Sequence, residues 1–422
     1  MHKRQFIKNI LLAGVGTPLG LASFANQFEQ MKNVPATVLA SDESFWNEIR
    51  NQYILKPDYI NLENGYYNFL PQPLLNKYIE HIKEVNLQGA YYMRTVQFDN
   101  KKKITARLAG IAGCSADELI ITRNTTESLD MIIGGLDWKV DDEAIMAYQD
   151  YGAMLDMLDQ VKNRYGIKKV MVSVPNHPKN DDEIINLYKN AITEKTKVIL
   201  VSHMINISGQ ILPIQKICDM AHAKGVQVIV DGAHAFAHIQ YKIQDLHCDY
   251  YAASLHKWLS TPLGAGMLYV NKENVKKVWP LLADGEKDLN KINRLNHTGT
   301  HPVHTDLTIN DSIDYFEMIG AARKEARLRF LQNYWTSKLR SNPKIIINTP
   351  ADANRSCAIA NVGVAGIAPG KLAERLLKEH NIFTVAIDYA EVRGCRICPN
   401  LYTTTTELDH FIHAMEQLAN NV

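Results

Sequence analysis

The sequence predicts an α/β protein: a mostly parallel, doubly wound sheet of seven strands, followed by a smaller α+β unit. Three observations predict it. Short β-rich apolar runs alternate with helical ones from Glu118 onward. One such run ends in an acid, Val228-Ile229-Val230-Asp231, and another is followed closely by a lysine, in Tyr250-Tyr251-Ala252-Ala253-Ser254-Leu255-His256-Lys257. After about Pro302 the rhythm changes to a long helical region and then to short strands.

Taken in order, residues 1–25 read as an export signal. His2, Lys3, Arg4 and Lys8 are basic, 10–25 is apolar and rich in Gly and Ala, and Ser23-Phe24-Ala25 offers a cleavage site. The run from Lys3 to Lys8 resembles a twin-arginine signal with Lys in place of the first Arg, which implies a folded, periplasmic product beginning near Asn26. A Sec signal or an uncleaved anchor shares this composition. Residues 26–60 are expected to be a helical segment joining the smaller unit, with helix from 41 and a turn at Lys56-Pro57-Asp58. Residues 61–302 form the expected large domain. It opens with a glycine loop, Asn61-Leu62-Glu63-Asn64-Gly65-Tyr66-Tyr67, and helices at 74–85 and 99–112 by apolar spacing. Strands are expected at 119–122, 144–148, 169–174, 196–203, 227–230, 250–253 and 266–269, and helices at 126–134, 153–165, 181–191 and 214–224. The last strand follows Gly264-Ala265-Gly266 and suits an antiparallel return. The small domain, 303–422, is expected to hold a helical region at 307–339, strands at 344–348, 358–362 and 382–386, and helices at 370–380 and 407–418.

Composition narrows the function. With 422 residues, 46% hydrophobic, the chain can bury a large core and a second, smaller one. A net charge of +1 argues against a general nucleic-acid binder. The six cysteines are scattered, and the single CxxC, Cys395-Arg396-Ile397-Cys398, has no second pair to complete a zinc site, so no metal is expected. Beyond the amino terminus no segment has the apolar length of a membrane span.

The chemistry begins with Asp231 and Lys257. In an open parallel sheet, ligands bind at the carboxyl ends of the strands, where both residues fall. A lysine that can lose its proton and a nearby carboxylate suit pyridoxal 5'-phosphate (PLP). The amine forms a Schiff base with the aldehyde, and the acid keeps the pyridine nitrogen protonated. Each residue also has an ordinary reading, Asp231 as a helix cap and Lys257 as solvated surface; the pair gains its meaning from the other segments.

Read together, these segments resemble the class V aminotransferase-like PLP enzymes of fold type I, in the isopenicillin N epimerase-like branch that neighbours the cysteine desulfurases. The resemblance runs from about Asn61 to the C-terminus. It implies that Thr125 and Thr126, in Asn124-Thr125-Thr126 between a strand and a helix, anchor the cofactor phosphate at the helix's positive end. Tyr151 in Tyr151-Gly152-Ala153 stacks on the ring. Asn206, in the segment from Ser202 to Pro213, meets the phenolic oxygen, with His203 behind it. Asp231 pairs with the ring nitrogen, His234 lies near the ring or phosphate, Ser254 and His256 join the phosphate cup, and Lys257 forms the Schiff base. His297-Thr298-Gly299-Thr300 resembles the segment that reaches a neighbouring subunit's phosphate, which implies a homodimer with Thr300 acting across it. The stretch from Arg393 to Thr403 resembles the family's Arg-x-Ser-x-x-x-Tyr-Asn pattern, with Cys398 for Ser and Thr403 for Asn. There Arg396 grips the substrate carboxylate, with Arg393 as its competitor. Glu63, Asn64, Tyr66, Tyr92 and Arg94 are further candidates for the pocket.

The implied partner is a small amino acid or derivative, and Lys257 is the implied base at its α-carbon. Returning the proton to the cofactor gives transamination, the first expectation. Returning it to the opposite face of Cα gives epimerisation, the runner-up, and a leaving group at Cβ gives elimination. A desulfurase is disfavoured because 380–383, His-Asn-Ile-Phe, lacks the family's nucleophilic Cys. A Rossmann enzyme is disfavoured because Arg123-Asn124-Thr125-Thr126 is no GxGxxG. An exported binding protein on the same fold is opposed by the presence of both Asp231 and Lys257.

Overall fold

The structure, a computed structural model, describes residues 31–421. The expected signal at 1–25 and the start near Asn26 lie outside the described residues. The chain is described through helices α1 (Ala36–Leu39) and α2 (Glu43–Arg50), the latter capped by Asp42, whose carboxylate accepts from the Ser44 and Phe45 N–H groups. The helix expected over 41–60 stops at Arg50. The chain then runs irregularly through Pro57, which cannot donate to a helix, into strand β1 (Ile60–Asn61). Helices α3 (Gln72–Gln88) and α4 (Gln97–Ala112) follow, with a π-helical turn at Tyr92–Val96 between them.

The large sheet is then laid down in alternation. It comprises β2 (Leu119–Thr122), α5 (Thr125–Gly135), β3 (Glu143–Ala147), α6 (Gly152–Tyr165), β4 (Lys168–Val172), α7 (Asp181–Ala191), β5 (Thr196–Ser202), α8 (Ile214–His222), β6 (Gln227–Asp231), β7 (Tyr250–Ser254) and β8 (Gly266–Val270). The seven strands lie in the order β2-β8-β7-β6-β5-β3-β4. All are parallel except β8, which runs antiparallel to both β2 and β7 as its short connection from β7 requires. The near-continuous apolar runs are explained by burial on both faces. Val228 and Val230 enter one core while Ile229 enters the other, and Ile199 and Val201 alternate likewise with Val198 and Leu200.

The helical region expected over 307–339 is two helices, α9 (Val303–Ile319) and α10 (Ala321–Leu339). They are broken at Gly320, whose φ of 88° no helix accommodates. Helix α9 packs on α3 and α4 and shares the large unit's core through Ile309 and Ile313. Further along, Leu331, Trp335 and Leu339 of α10 belong to the smaller core instead. The smaller unit continues with β9 (Ile345–Ile347), β10 (Ala360–Val364), α11 (Pro369–His380), β11 (Ile382–Phe383), β12 (Val385–Tyr389), β13 (Val392–Ile397) and α12 (Thr405–Asn420). Strands β12-β13-β10-β9 form an antiparallel sheet. The single strand expected at 382–386 is two, because β11 turns away to pair in parallel with β1. Strand β13 was not anticipated: its run Val-Arg-Gly-Cys-Arg-Ile hides a period of two behind two arginines and a glycine. Among the described residues no helix is long and apolar enough to cross a membrane, and no group of three or more His, Cys, Asp and Glu could hold a metal ion.

Candidate active site

A cavity of about 520 Å³ opens at the carboxyl ends of β2, β5, β6 and β7. Its lining includes Thr125, Thr126, Tyr151, Asn206, Asp231, His234, Ser254, His256, Lys257 and Arg396, which are all of the expected site residues except Thr300. Thr300 is exposed on a loop before α9 and does not line the cavity of its own chain. Gly65 and Tyr66 also reach the lining, but Tyr92 does not. It lines a separate small cavity with Lys101, Val303 and Asp306, because the π-helical turn directs it toward α9.

One end of the cavity is built for an anion. Asn124 caps α5, its side chain accepting the Glu127 N–H at 2.8 Å. The Thr125 N–H donates to Ser254 Oγ at 3.0 Å, and the two hydroxyls lie 2.7 Å apart, so β7 and the first turn of α5 are locked together. Gly266 on β8 permits this approach, since a Cβ there would stand 2.6 Å from Asn124 N. The positive end of a helix beside two hydroxyls is the setting a phosphate needs. Arg123 is not free to join it, because its Nε and Nη2 are held by Glu127 at 2.9 and 3.0 Å.

The middle of the cavity holds the acid and the amine. Asp231 ends β6, and among the described residues its carboxylate accepts one hydrogen bond, from the Ala233 N–H at 2.9 Å. Burial raises its pKa, opposed by that hydrogen bond and by Lys257. Burial likewise pulls Lys257 down to about 8; Asp231 opposes the shift and Arg396 adds to it. Lys257 Nζ lies 3.0 Å from His234 Nε2, while the Trp258 indole N–H points at His234 Nδ1 at 3.5 Å. Trp can only donate, so this network assigns the proton of a neutral His234 to Nε2, facing an amine able to accept it. Burial, with Lys257 beside it, holds His234 well below the usual histidine range, and burial lowers His256 to about 4.

Asp150 and Asn68 position the site and escape a reading of motifs, whereas Asn64 and His203 are among the residues expected near it. Asp150 is buried behind the cavity, its carboxylate accepting from Ser202 N–H and Oγ at 3.0 and 2.7 Å and from the Ala147 N–H at 2.7 Å. Burial raises its pKa to about 7, against those hydrogen bonds. Asn68 clamps the lysine loop, donating from its side chain to the Lys257 carbonyl. Asn64 donates to the Cys398 carbonyl at 2.8 Å and accepts from the Tyr402 hydroxyl at 2.7 Å, so the glycine loop and the chain after β13 are one structure. His203 lies behind the cavity, 3.3 Å from the Tyr251 hydroxyl, and burial lowers its pKa to about 3. Asp150 and Asn68 are each a single polar residue beside a strand end or loop, a signal too common in sequence to stand out.

The two arginine candidates separate cleanly. Arg393 and Arg396 are three apart on β13, so they face opposite sides of the sheet. Arg393 is exposed and paired with Asp388 at 3.0 Å. Arg396 is 7% exposed and lines the cavity, where its Nε donates to Glu63 Oε2 at 3.0 Å and its Nη1 to the Asn206 carbonyl at 3.2 Å. Cys395 and Cys398 are both buried; burial pushes the Cys395 thiol up to about 11 and raises that of Cys398 as well.

Residues 71–409 match the family model for aminotransferase class V. The chain belongs to that family. Among curated relatives of this class V chain, it is 24% identical over 390 residues to isopenicillin N epimerase of Streptomyces clavuligerus, spanning 88% of this chain and 98% of the relative. Among solved structures, an apo cysteine desulfurase from Thermococcus onnurineus superposes with a TM-score of 0.79 at 20% identity, covering 89% and 98% of the two chains. A mutant of the lyase C-DES, with glycine covalently linked to its PLP, superposes with a TM-score of 0.78 at 18% identity, covering 88% and 98%. The class V family is PLP-dependent, and the cavity fits that cofactor by its chemistry: an anion cup at α5, a buried acid, and a buried amine of lowered pKa in one enclosure. This protein is a class V, fold type I, PLP-dependent enzyme.

Proposed function

We propose that the protein acts at the α-carbon of an amino acid or amino-acid derivative, with transamination as its reaction. The observation that carries the reading is Lys257, a buried amine with its pKa lowered to about 8, in one cavity with Asp231 and Arg396. Thr125, Thr126, Ser254 and His256 would hold the phosphate, Tyr151 the ring face, Asn206 and His234 the ring edge, and Asp231 the ring nitrogen. When bound, PLP supplies an aldehyde for an amine and a ring that takes up the electrons of a deprotonated α-carbon. Asp231 keeps a proton at the ring nitrogen, because burial leaves its carboxylate in need of a cationic partner. Arg396 orients the substrate through its carboxylate. Lys257 Nζ takes the α-proton and returns it, and His234 Nε2 lies where it can hold that amine in line.

A second reading is epimerisation, favoured by the likeness to isopenicillin N epimerases over 98% of their length. One experiment separates the two. PLP-loaded protein is given a panel of amino acids in deuterated water. Keto acid formed with stoichiometric loss of amino acid supports transamination, whereas deuterium at Cα with inverted configuration and no keto acid supports epimerisation. Sulfur release from cysteine or cystine would replace both with a β-lyase. Among the described residues no cysteine lines the cavity, which disfavours a protein-bound persulfide.

The proposal includes a homodimer and an exported product. Mixing inactive Lys257→Ala and Thr300→Val chains should regenerate part of the activity if Thr300 serves the other subunit's site. Amino-terminal sequencing of the periplasmic protein should begin near Asn26.

A further inference from the structure

Arg396 does not face the cavity as a free cation. Its Nε donates to Glu63 Oε2 at 3.0 Å, its Nη2 to Glu63 Oε1, and its Nη1 to the Asn206 carbonyl at 3.2 Å. A guanidinium has five N–H donors. Among the described residues three are engaged, which leaves one on each terminal nitrogen.

Glu63 is itself held in place. It is 8% exposed, its Oε1 also accepts the Tyr66 N–H at 3.1 Å, and its backbone bridges Cys398 in parallel. The Asn64 N–H donates to the Cys398 carbonyl at 3.3 Å, so the backbone that carries the carboxylate is latched to the chain after β13. Gly65 closes over the pair; a Cβ there would stand 3.0 Å from Cys398 Sγ and 3.4 Å from Arg396 Cζ. The other arginine of the lining, Arg123, is equally engaged by Glu127. Each guanidinium at this cavity therefore has its own carboxylate.

We infer that Glu63 is a positioning and specificity-determining residue: it fixes the guanidinium of Arg396 and cancels its charge, so that the site takes amino acids with a single carboxylate and rejects dicarboxylic ones. The inference rests on the proposed role of Arg396 toward a substrate carboxylate. The first carboxylate is accepted by the two remaining N–H groups of Arg396. A second would enter a buried region with no unpaired guanidinium and with Glu63 already present, and like charges at low dielectric repel. Without Glu63, Arg396 gains net positive charge but loses two of its three anchors.

The test uses PLP-loaded protein and amino acids that lack an α-proton, so that binding is read without turnover. Dissociation constants of α-methylalanine and α-methylaspartate are measured from the change in cofactor absorption. Wild type is expected to prefer the monocarboxylate by at least about tenfold, and Glu63→Gln to narrow that ratio by about tenfold, the effect of one charge contact worth about 1.4 kcal/mol. An unchanged ratio in a Glu63→Gln protein that keeps its melting temperature and cofactor band overturns the inference; a change in melting temperature alone marks Glu63 as merely structural. If Glu63→Gln does not fold, Arg396→Gln is compared with the double variant Glu63→Gln/Arg396→Gln. Removing the stranded carboxylate should then tighten both ligands, and equal affinities overturn the proposal. Absence of a lysine-linked cofactor band in wild type is a different result, and it would strike the proposed function instead.

Discussion

Half-buried Lys257 and buried Lys324 both have pKa values lowered far below an ordinary lysine, because an ammonium loses its hydration when enclosed. Lys257 falls to about 8. The free amine attacks an aldehyde, so attachment of PLP to the apoprotein should quicken as pH rises through about 8, followed by stopped-flow absorbance. A rate independent of pH from about 7 to 9 would contradict the proposed role of this amine. Lys324 falls to about 7 through burial, weakly opposed by Cys357, and its Nζ donates to the Trp258 carbonyl directly after Lys257. Its folded pKa lies below its unfolded value. The cost of enclosing its charge is therefore fully present below about 7 and is relieved as pH climbs toward the unfolded value near 10.5. Stability of the wild-type apoprotein relative to Lys324→Met should rise across that window by roughly 5 kcal/mol at most, measured by urea denaturation at several pH values. A difference that is flat or falls with pH would show Lys324 to be uncharged or solvated.

At the scale of elements, strand ends and helix starts make the site, and their caps were partly legible. Asn124-Thr125-Thr126 before an apolar helical run reads as a capped helix, and Asn124 does cap α5. Asn124→Ala should cost about 1 kcal/mol of stability. It should also weaken PLP affinity, read by fluorescence titration, since Thr125 and Ser254 depend on that turn. Gly209 is a stricter requirement. It has φ of 76°, and a Cβ there would lie 1.9 Å from the Ile359 carbonyl oxygen. Gly209→Ala should destabilise by about 2 kcal/mol or more and displace Asn206 three residues earlier, visible as a shifted cofactor absorption maximum. Buried parallel strands are the elements that local sequence specifies best, because both faces demand apolar residues. Strand β13 was invisible for the opposite reason: Arg396 is apolar-compatible only because Glu63, more than three hundred residues earlier, neutralises it.

At the scale of the molecule, the lysine loop is held from several distant parts of the chain. Asn68 grips the Lys257 carbonyl from the glycine loop, and Lys324 of α10 grips that of Trp258. His238, stacked on Trp258 with ring centroids 3.7 Å apart, accepts the Ala358 N–H at 2.9 Å. The cavity therefore bridges the two cores, and a ligand bound there should stabilise both together. PLP at about a hundred times its dissociation constant should add about 2.7 kcal/mol, and its removal should lower a single calorimetric transition rather than split it. A smaller-unit melt unaffected by PLP would mean that the two cores are not coupled through the site.

By itself the sequence determined the large sheet, the alternation around it, and the residues at its strand ends, including Asp231 and Lys257. Those features are local: apolar runs, caps and short motifs carry their own physical requirement wherever they stand. Only the tertiary structure decided that Arg396 and not Arg393 enters the cavity, that Glu63 holds it, and that Asp150, Asn68 and Lys324 brace the site. These are pairings between residues far apart in the chain, and a buried charge or amide has no meaning until its partner is brought within hydrogen-bond distance.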